Sequence, residues 1–92
     1  MKPNNKALAM AELEKFMEQN NLNVLRLSDT SHGKYLIHYA NYPSSAIGVI
    51  AKSDGTYEMT LYYLNQGTST IVNREELFEE LRKLIDKKKG DH

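Results

Sequence analysis

Three histidines are the side chains of this 92-residue chain best suited to move protons near neutral pH, and one of them keeps reactive company. His32 closes the run Asp29-Thr30-Ser31-His32, which gathers a carboxylate, two hydroxyls and an imidazole, the ingredients of general acid–base work or of an activated nucleophile. The same run has a plainer explanation. Asp, Thr, Ser and the following Gly33 supply the local hydrogen bonds and positive φ that a hairpin connection needs, which leaves only the imidazole unaccounted for. His38 falls inside a strand-like run and reads as one element of a contact surface, while His92 is terminal. A metal needs three or four converging ligands, and neither the histidine spacing nor the scattered Asp and Glu offers them. Gly33, Gly48, Gly55, Gly67 and Gly90 are not arranged as a loop entering a helix N-terminus, so no phosphate cradle is expected. The chain is read as having no catalytic residue, no metal and no cofactor.

Composition narrows the field further. The length suits one domain with one core. Twelve basic side chains balance twelve acidic ones, so no global field draws the protein to nucleic acid or to an anionic membrane. With no cysteine, disulfides and thiolate chemistry are excluded and stability must come from packing. The apolar stretch from Ala7 to Ala11 is broken by Glu12, too short for a signal-peptide core or a membrane span, and a cytoplasmic protein is the expectation.

Charge divides the chain. Between Asn21 and Asn73 there are only six charged side chains, Arg26, Asp29, Lys34, Lys52, Asp54 and Glu58, whereas both flanks are dense with Lys and Glu. The flanks carry helical periodicity. Asn4 or Asn5 caps a helix over 5–20 whose stripe is Ala9, Leu13, Phe16 and Met17, stopped by Asn20-Asn21. A second helix over 74–89 starts at the capping box Asn73 to Glu76, with Val72 stapled on Leu77, and buries Leu77, Leu81, Leu84 and Ile85 beside Phe78. Lys87, Lys88 and Lys89 offset its dipole before Gly90 ends it.

The middle, 23–64, reads as an antiparallel meander of four strands near 23–28, 34–40, 46–52 and 56–64, followed by a flexible connection over 65–70 and a possible edge pairing at Ile71-Val72. The turn Ser53-Asp54-Gly55 sets its register. A three-residue loop with Gly55 left-handed places Ala51 opposite Tyr57, Val49 opposite Met59 and Ile47 opposite Leu61, which collects apolar residues on one side. Carried back, the same parity puts Ile37 opposite Val49, Tyr39 opposite Ile47, His38 opposite Gly48, and Leu25 and Leu27 opposite Ile37 and Tyr35. The odd face is the bed for both helices. The even face holds Val24, Arg26, Leu36, His38, Gly48, Ile50, Glu58, Thr60 and Tyr62, and Leu36, Ile50 and Tyr62 are too apolar for an idle solvated surface.

One family resemblance attaches to His32. A helix, a strand, a turn ending in Ser31-His32 and a second strand, over about Leu13 to Tyr39, resemble the opening of HicA-type toxins, small RNA-cleaving proteins with a double-stranded-RNA-binding-like fold and a Gly-Ser-His motif. The resemblance implies RNA cleavage with His32 as the base. Thr30 stands where that family has glycine, and two further strands, rather than one, precede the last helix.

The expected architecture is therefore α+β: helix, four-stranded antiparallel sheet, helix (αββββα), both helices on one face. The expected function is a small non-enzymatic protein–protein interaction module of adaptor or inhibitor type, docking itself as a homodimer or another protein through Leu36, His38, Ile50 and Tyr62, with Tyr42 on the adjacent loop. The HicA-like reading is the enzymatic alternative. Weak nucleic-acid binding through Lys87, Lys88 and Lys89 ranks third, because four or so lysines without a basic stripe attract phosphate only weakly.

Overall fold

The computed structural model describes residues 5–40, 45–62 and 69–89. The first helix, α1, spans Asn5–Gln19 and buries Ala9, Leu13, Phe16 and Met17, the stripe its periodicity predicts. It stops where Asn20 turns its amide back to donate to the Phe16 carbonyl at 2.8 Å, and Asn21 takes a left-handed φ of 55°. The second, α2, spans Arg74–Lys89. Its capping box is closed in both directions: Asn73 Oδ1 accepts from the Glu76 amide at 2.8 Å, and Glu76 Oε1 accepts from the Asn73 amide at 3.2 Å. Leu77, Leu81, Leu84 and Ile85 are buried, as expected. The Asn4 cap and the Gly90 stop lie outside the described residues.

Between the helices run five strands, one more than the sequence suggests. They are β1 (Leu22–Val24), β2 (Lys34–Tyr39), β3 (Ile47–Ala51), β4 (Tyr57–Leu61) and β5 (Ser69–Val72), antiparallel in the order β1-β2-β3-β4-β5. The order along the chain is αβββββα, so the four-strand αββββα expectation is corrected within an α+β fold. The fifth strand was hidden by its polarity. An edge strand needs few buried side chains, and in Ser69–Val72 only Val72 is buried.

The β3–β4 hairpin follows the three-residue turn. Lys52 and Thr56 flank it through a 2.8 Å amide-to-carbonyl bond, Gly55 has φ 90°, and Ala51, Val49 and Ile47 face Tyr57, Met59 and Leu61. The β2–β3 pairing differs from expectation by two residues: Ile37 faces Ile47 and Tyr35 faces Val49, so Leu36 rather than His38 lies opposite Gly48. A slip of two leaves the parity unchanged. The β1 pairing does change parity. Leu22 faces Tyr39 and Val24 faces Ile37, the strand ends at Val24, and Leu25–Ser28 forms a turn closed by the Ser28 amide on the Leu25 carbonyl. Leu27, expected on the inner face, is 87% exposed, and Leu22 is buried instead.

One continuous core joins the buried residues of α1 and α2 to Leu22, Tyr35, Ile37, Ile47, Val49, Ala51, Tyr57, Met59 and Val72. Two phenols fasten the sheet to α1 from inside it. Tyr57 donates to the Ala9 carbonyl and Tyr35 to Glu14 Oε2, each at 2.7 Å. The helices meet through stacked Phe16 and Phe78 rings, 4.2 Å between centroids, with Arg74 reaching Glu12 at 2.7 Å. Burial raises both phenol pKa values, that of Tyr57 to about 12 with help from the charge of Glu12, and that of Tyr35 further still with help from its bond to Glu14.

Two outcomes are expected of the fold. Asn73→Ala removes one half of the capping box and lowers stability by about 1 kcal/mol, read in a thermal melt as a fall of roughly 4–8 °C for a domain of this size. Alkali is the second. An unfolded tyrosine ionises near pH ~10, while folded Tyr57 keeps its proton to about pH 12. The unfolded chain therefore binds fewer protons across that window, and stability falls as pH rises through it. Tyr57→Phe should flatten that fall in melts taken from pH 9 upward.

Candidate functional site

Side chains of paired residues in adjacent strands share a face, so the ladders define rows across the even side of the sheet. The first row reads Lys34, Ile50, Glu58, Ile71, and the next Leu36, Gly48, Thr60, Ser69. Beyond Leu36 on the β1 side lies the Leu25–Ser28 turn, held there by the Leu36 amide donating to Ser28 Oγ at 2.9 Å. At the β5 side, the Thr60 and Ser69 hydroxyls bond each other at 2.8 Å, which satisfies the polar atoms of that row.

These rows enclose a shallow concavity of about 250 Å³, with Leu36, Gly48 and Ile50 in its floor and Leu27, Tyr62 and Ser69 among its walls. Leu27 at 87%, Tyr62 at 53% and Ile71 at 56% exposure are three of the five large hydrophobic side chains left open to solvent among the described residues. The Tyr62 ring leans from β4 over β3. A methyl group on Gly48 would come within 2.6 Å of its Cε2, so the glycine is what lets the ring lie against the backbone. The sheet's charges are few here: Lys52 and Glu58 pair at 3.6 Å, and Lys34 is exposed.

Of the predicted contact residues, Leu36, Ile50 and Tyr62 line this one concavity. His38 shares the face but stands opposite Asn23, is only 9% exposed, and has a buried Nδ1 without a hydrogen-bond partner among the described residues. Tyr42 lies outside the described residues. Leu27, which lines the concavity, and the exposed Ile71 at the end of its row were not among the predicted residues. One was assigned to the inner face by a parity that β1 does not keep, the other to a possible edge pairing.

A larger hollow of about 460 Å³ lies along the helix seam, lined by Glu12, Phe16, Arg74, Phe78 and Arg82 among others. Its groups already serve one another: Arg74 binds both Glu12 and Glu75, and the Arg82 guanidinium sits 5.3 Å from the Phe16 ring centre. That seam holds the helices together. At the far end of α2, Lys87 is exposed, while the side chains of Lys88 and Lys89 lie outside the described residues.

His32 ends a short 3-10 turn, Thr30–His32, closed by Gly33 at φ 77°. Its Nδ1 is 2.9 Å from Asp29 Oδ2, and Ser31 donates to Asp29 Oδ1 at 3.0 Å. A carboxylate can only accept, so Nδ1 carries a proton and the Ser31 hydrogen is committed to Asp29. The serine touches the imidazole on the same Nδ1, at 3.3 Å, rather than on the nitrogen that would act as its base. Ser31 is therefore not aligned for activation by His32. The side chains of His32 and Asp29 are 73% and 51% exposed, so nothing excludes water. Among the described residues no group of three metal-ligating side chains converges, and no helix is long and apolar enough to cross a membrane.

No protein-family model, curated protein or solved structure matches this chain.

The turn makes its own prediction. The His32 hydrogen bond, followed by that of Ser31, holds the Asp29 carboxyl below the usual carboxylate range. A depressed pKa means these bonds add stability above that range and lose it as pH falls through the folded midpoint. Carboxyl NMR titration should find the Asp29 midpoint low in the native chain and raised in His32→Ala. An unchanged midpoint would contradict the geometry.

Proposed function

We propose that this protein is a small non-enzymatic interaction module of adaptor or inhibitor type, working in the cytoplasm and docking through the even face of its sheet. In this reading both helices cover the odd face. The support is that their buried residues form one core with odd-numbered strand residues, and that two odd-face tyrosines bond α1. The observation that carries the proposal is the concavity floored by Leu36, Gly48 and Ile50 between exposed Leu27 and Tyr62. Apolar walls with few charges and a tyrosine that costs little entropy to fix are what the centre of a contact needs.

RNA cleavage with His32 as base is a second reading, favoured by one observation: Asp29 holds the ring by Nδ1, which leaves Nε2 to accept a proton. It requires RNA cleavage by the native chain and its loss in His32→Ala.

The docking reading is tested by placing a photo-activated cross-linker at 36, 50 or 62, and at 18 or 79 on the exposed surfaces of the helices, in cells of the source organism. Discrete adducts are expected from the sheet positions and not from the helix positions. Equal labelling at both sets, or none from the sheet, would refute it.

A further inference from the structure

The even face is self-complementary, and its row through Ile50 shows how. From β2 to β5 the side chains run Lys34, Ile50, Glu58, Ile71, with Asp29 opposite Lys34 through an isolated bridge and already bonded by His32 and Ser31, and with Leu27 on the neighbouring wall of the concavity. From Lys34 the order is cationic, apolar, anionic, apolar. Reversed about Ile50, the central three set each cation against an anion and Ile50 against Ile50.

We infer that the occupant of this face is a second copy of the same chain, related by a two-fold axis lying along β3, an inference that rests on the docking reading above. Such an axis carries β2 of one copy over β4 of the other. Lys34 then faces Glu58 of the second copy, Glu58 faces its Lys34, Ile50 meets Ile50 at the axis, and the exposed Leu27 comes to the β5 side of the second copy. Strands of the two sheets run nearly aligned, the usual arrangement when sheets pack face to face. Tyr62 fits this placement as well, because its ring already leans over Gly48 on the axial strand, where the two copies bring their rings together.

The charges that would pair are available. Lys34 makes no ion pair among the described residues and acts on Asp29 only from a distance. Glu58 has one partner, Lys52 at 3.6 Å, and its side chain remains 30% exposed. The axis also brings the two Lys52 side chains toward each other, each accompanied by its own Glu58, so the pair of carboxylates sits among four ammonium groups. A different axis, perpendicular to the strands, would set Glu58 against Tyr62 and forgo both ion pairs.

Size sets the strength. Five strands spaced ~4.8 Å apart and ~17 Å long give a flat footprint of ~400 Å² per copy. That is small beside the ~800 Å² of accessible surface each partner buries in a standard stable interface, so the dimer exchanges with monomer rather than being obligate.

Sedimentation equilibrium over a range of concentrations tests this on four samples: the native chain, Lys34→Glu, Glu58→Lys, and the two variants mixed in equal amounts. The native chain should dimerise reversibly, more weakly in high salt. Each variant alone turns two attractive pairs into two repulsive ones and should self-associate roughly tenfold more weakly or worse. The mixture should recover dimer as a heterodimer, which a merely misfolded variant could not do. A native chain that stays monomeric throughout, or a dimer indifferent to both variants and to mixing, overturns the inference. If cross-linkers at 36 or 50 still capture partners of other mass in either case, self-pairing has failed while the docking reading stands; if they capture nothing, both have.

Discussion

A three-residue turn, Ser53-Asp54-Gly55, decides which residues of β3 and β4 enter the core. Gly55 at φ 90° lets the chain reverse with Lys52 and Thr56 paired, and Asp54 Oδ1 braces the far side by accepting from the Thr56 amide and hydroxyl at 3.0 and 2.6 Å. Strand side chains alternate, so fixing one pair fixes every residue of β3 and β4. A two-residue turn would move Tyr57, Met59 and Leu61 out of line with Ala51, Val49 and Ile47, and no arrangement of the helices could then bury both sets. The backbone freedom of one glycine thus governs where the apolar surface of the whole domain goes.

What the turn arranges, two tyrosines secure. Tyr57 and Tyr35 are buried aromatics whose hydroxyls need acceptors, and α1 supplies both, a main-chain carbonyl and a carboxylate one and a half turns apart. Each phenol adds direction to contacts that are otherwise non-directional, holding the helix at one position along the sheet. The cost is an alkaline limit, since a phenol that accepts no charge inside the core destabilises the fold once solvent can deprotonate the unfolded chain. Helix-to-helix order then follows from Phe16 on Phe78 and from Arg74 on Glu12.

Both helix stripes, the α2 capping box and the β3–β4 register were legible because each rests on a local rule: a 3.6-residue period, a cap three residues from its partner, a turn length. β1 was not, because Leu22-Asn23-Val24-Leu25-Arg26-Leu27 offers apolar residues in both parities, and only the left-handed Asn21 and the turn at Leu25–Ser28 choose between them. β5 was foreseen only as an edge pairing at Ile71-Val72, because Ser69 and Thr70 look like a loop, and an edge strand needs little more than backbone pairing with β4. The candidate site was half legible for the same reasons. Leu36, Ile50 and Tyr62 lie in or beside strands whose parity was read correctly, whereas Leu27 and Ile71 come from the two segments where parity and existence were set by tertiary pairing.

In the proposed reading, odd positions of β2 to β4 are sealed beneath the helices while the even face meets solvent until a second chain covers it. Isoleucine methyl NMR with a soluble paramagnetic agent reads both halves of that statement together. In dilute protein the Ile50 and Ile71 methyls should broaden while Ile37, Ile47 and Ile85 stay sharp, and Ile50 should become protected as concentration rises. Broadening of Ile47 alongside a sharp Ile50 would contradict it.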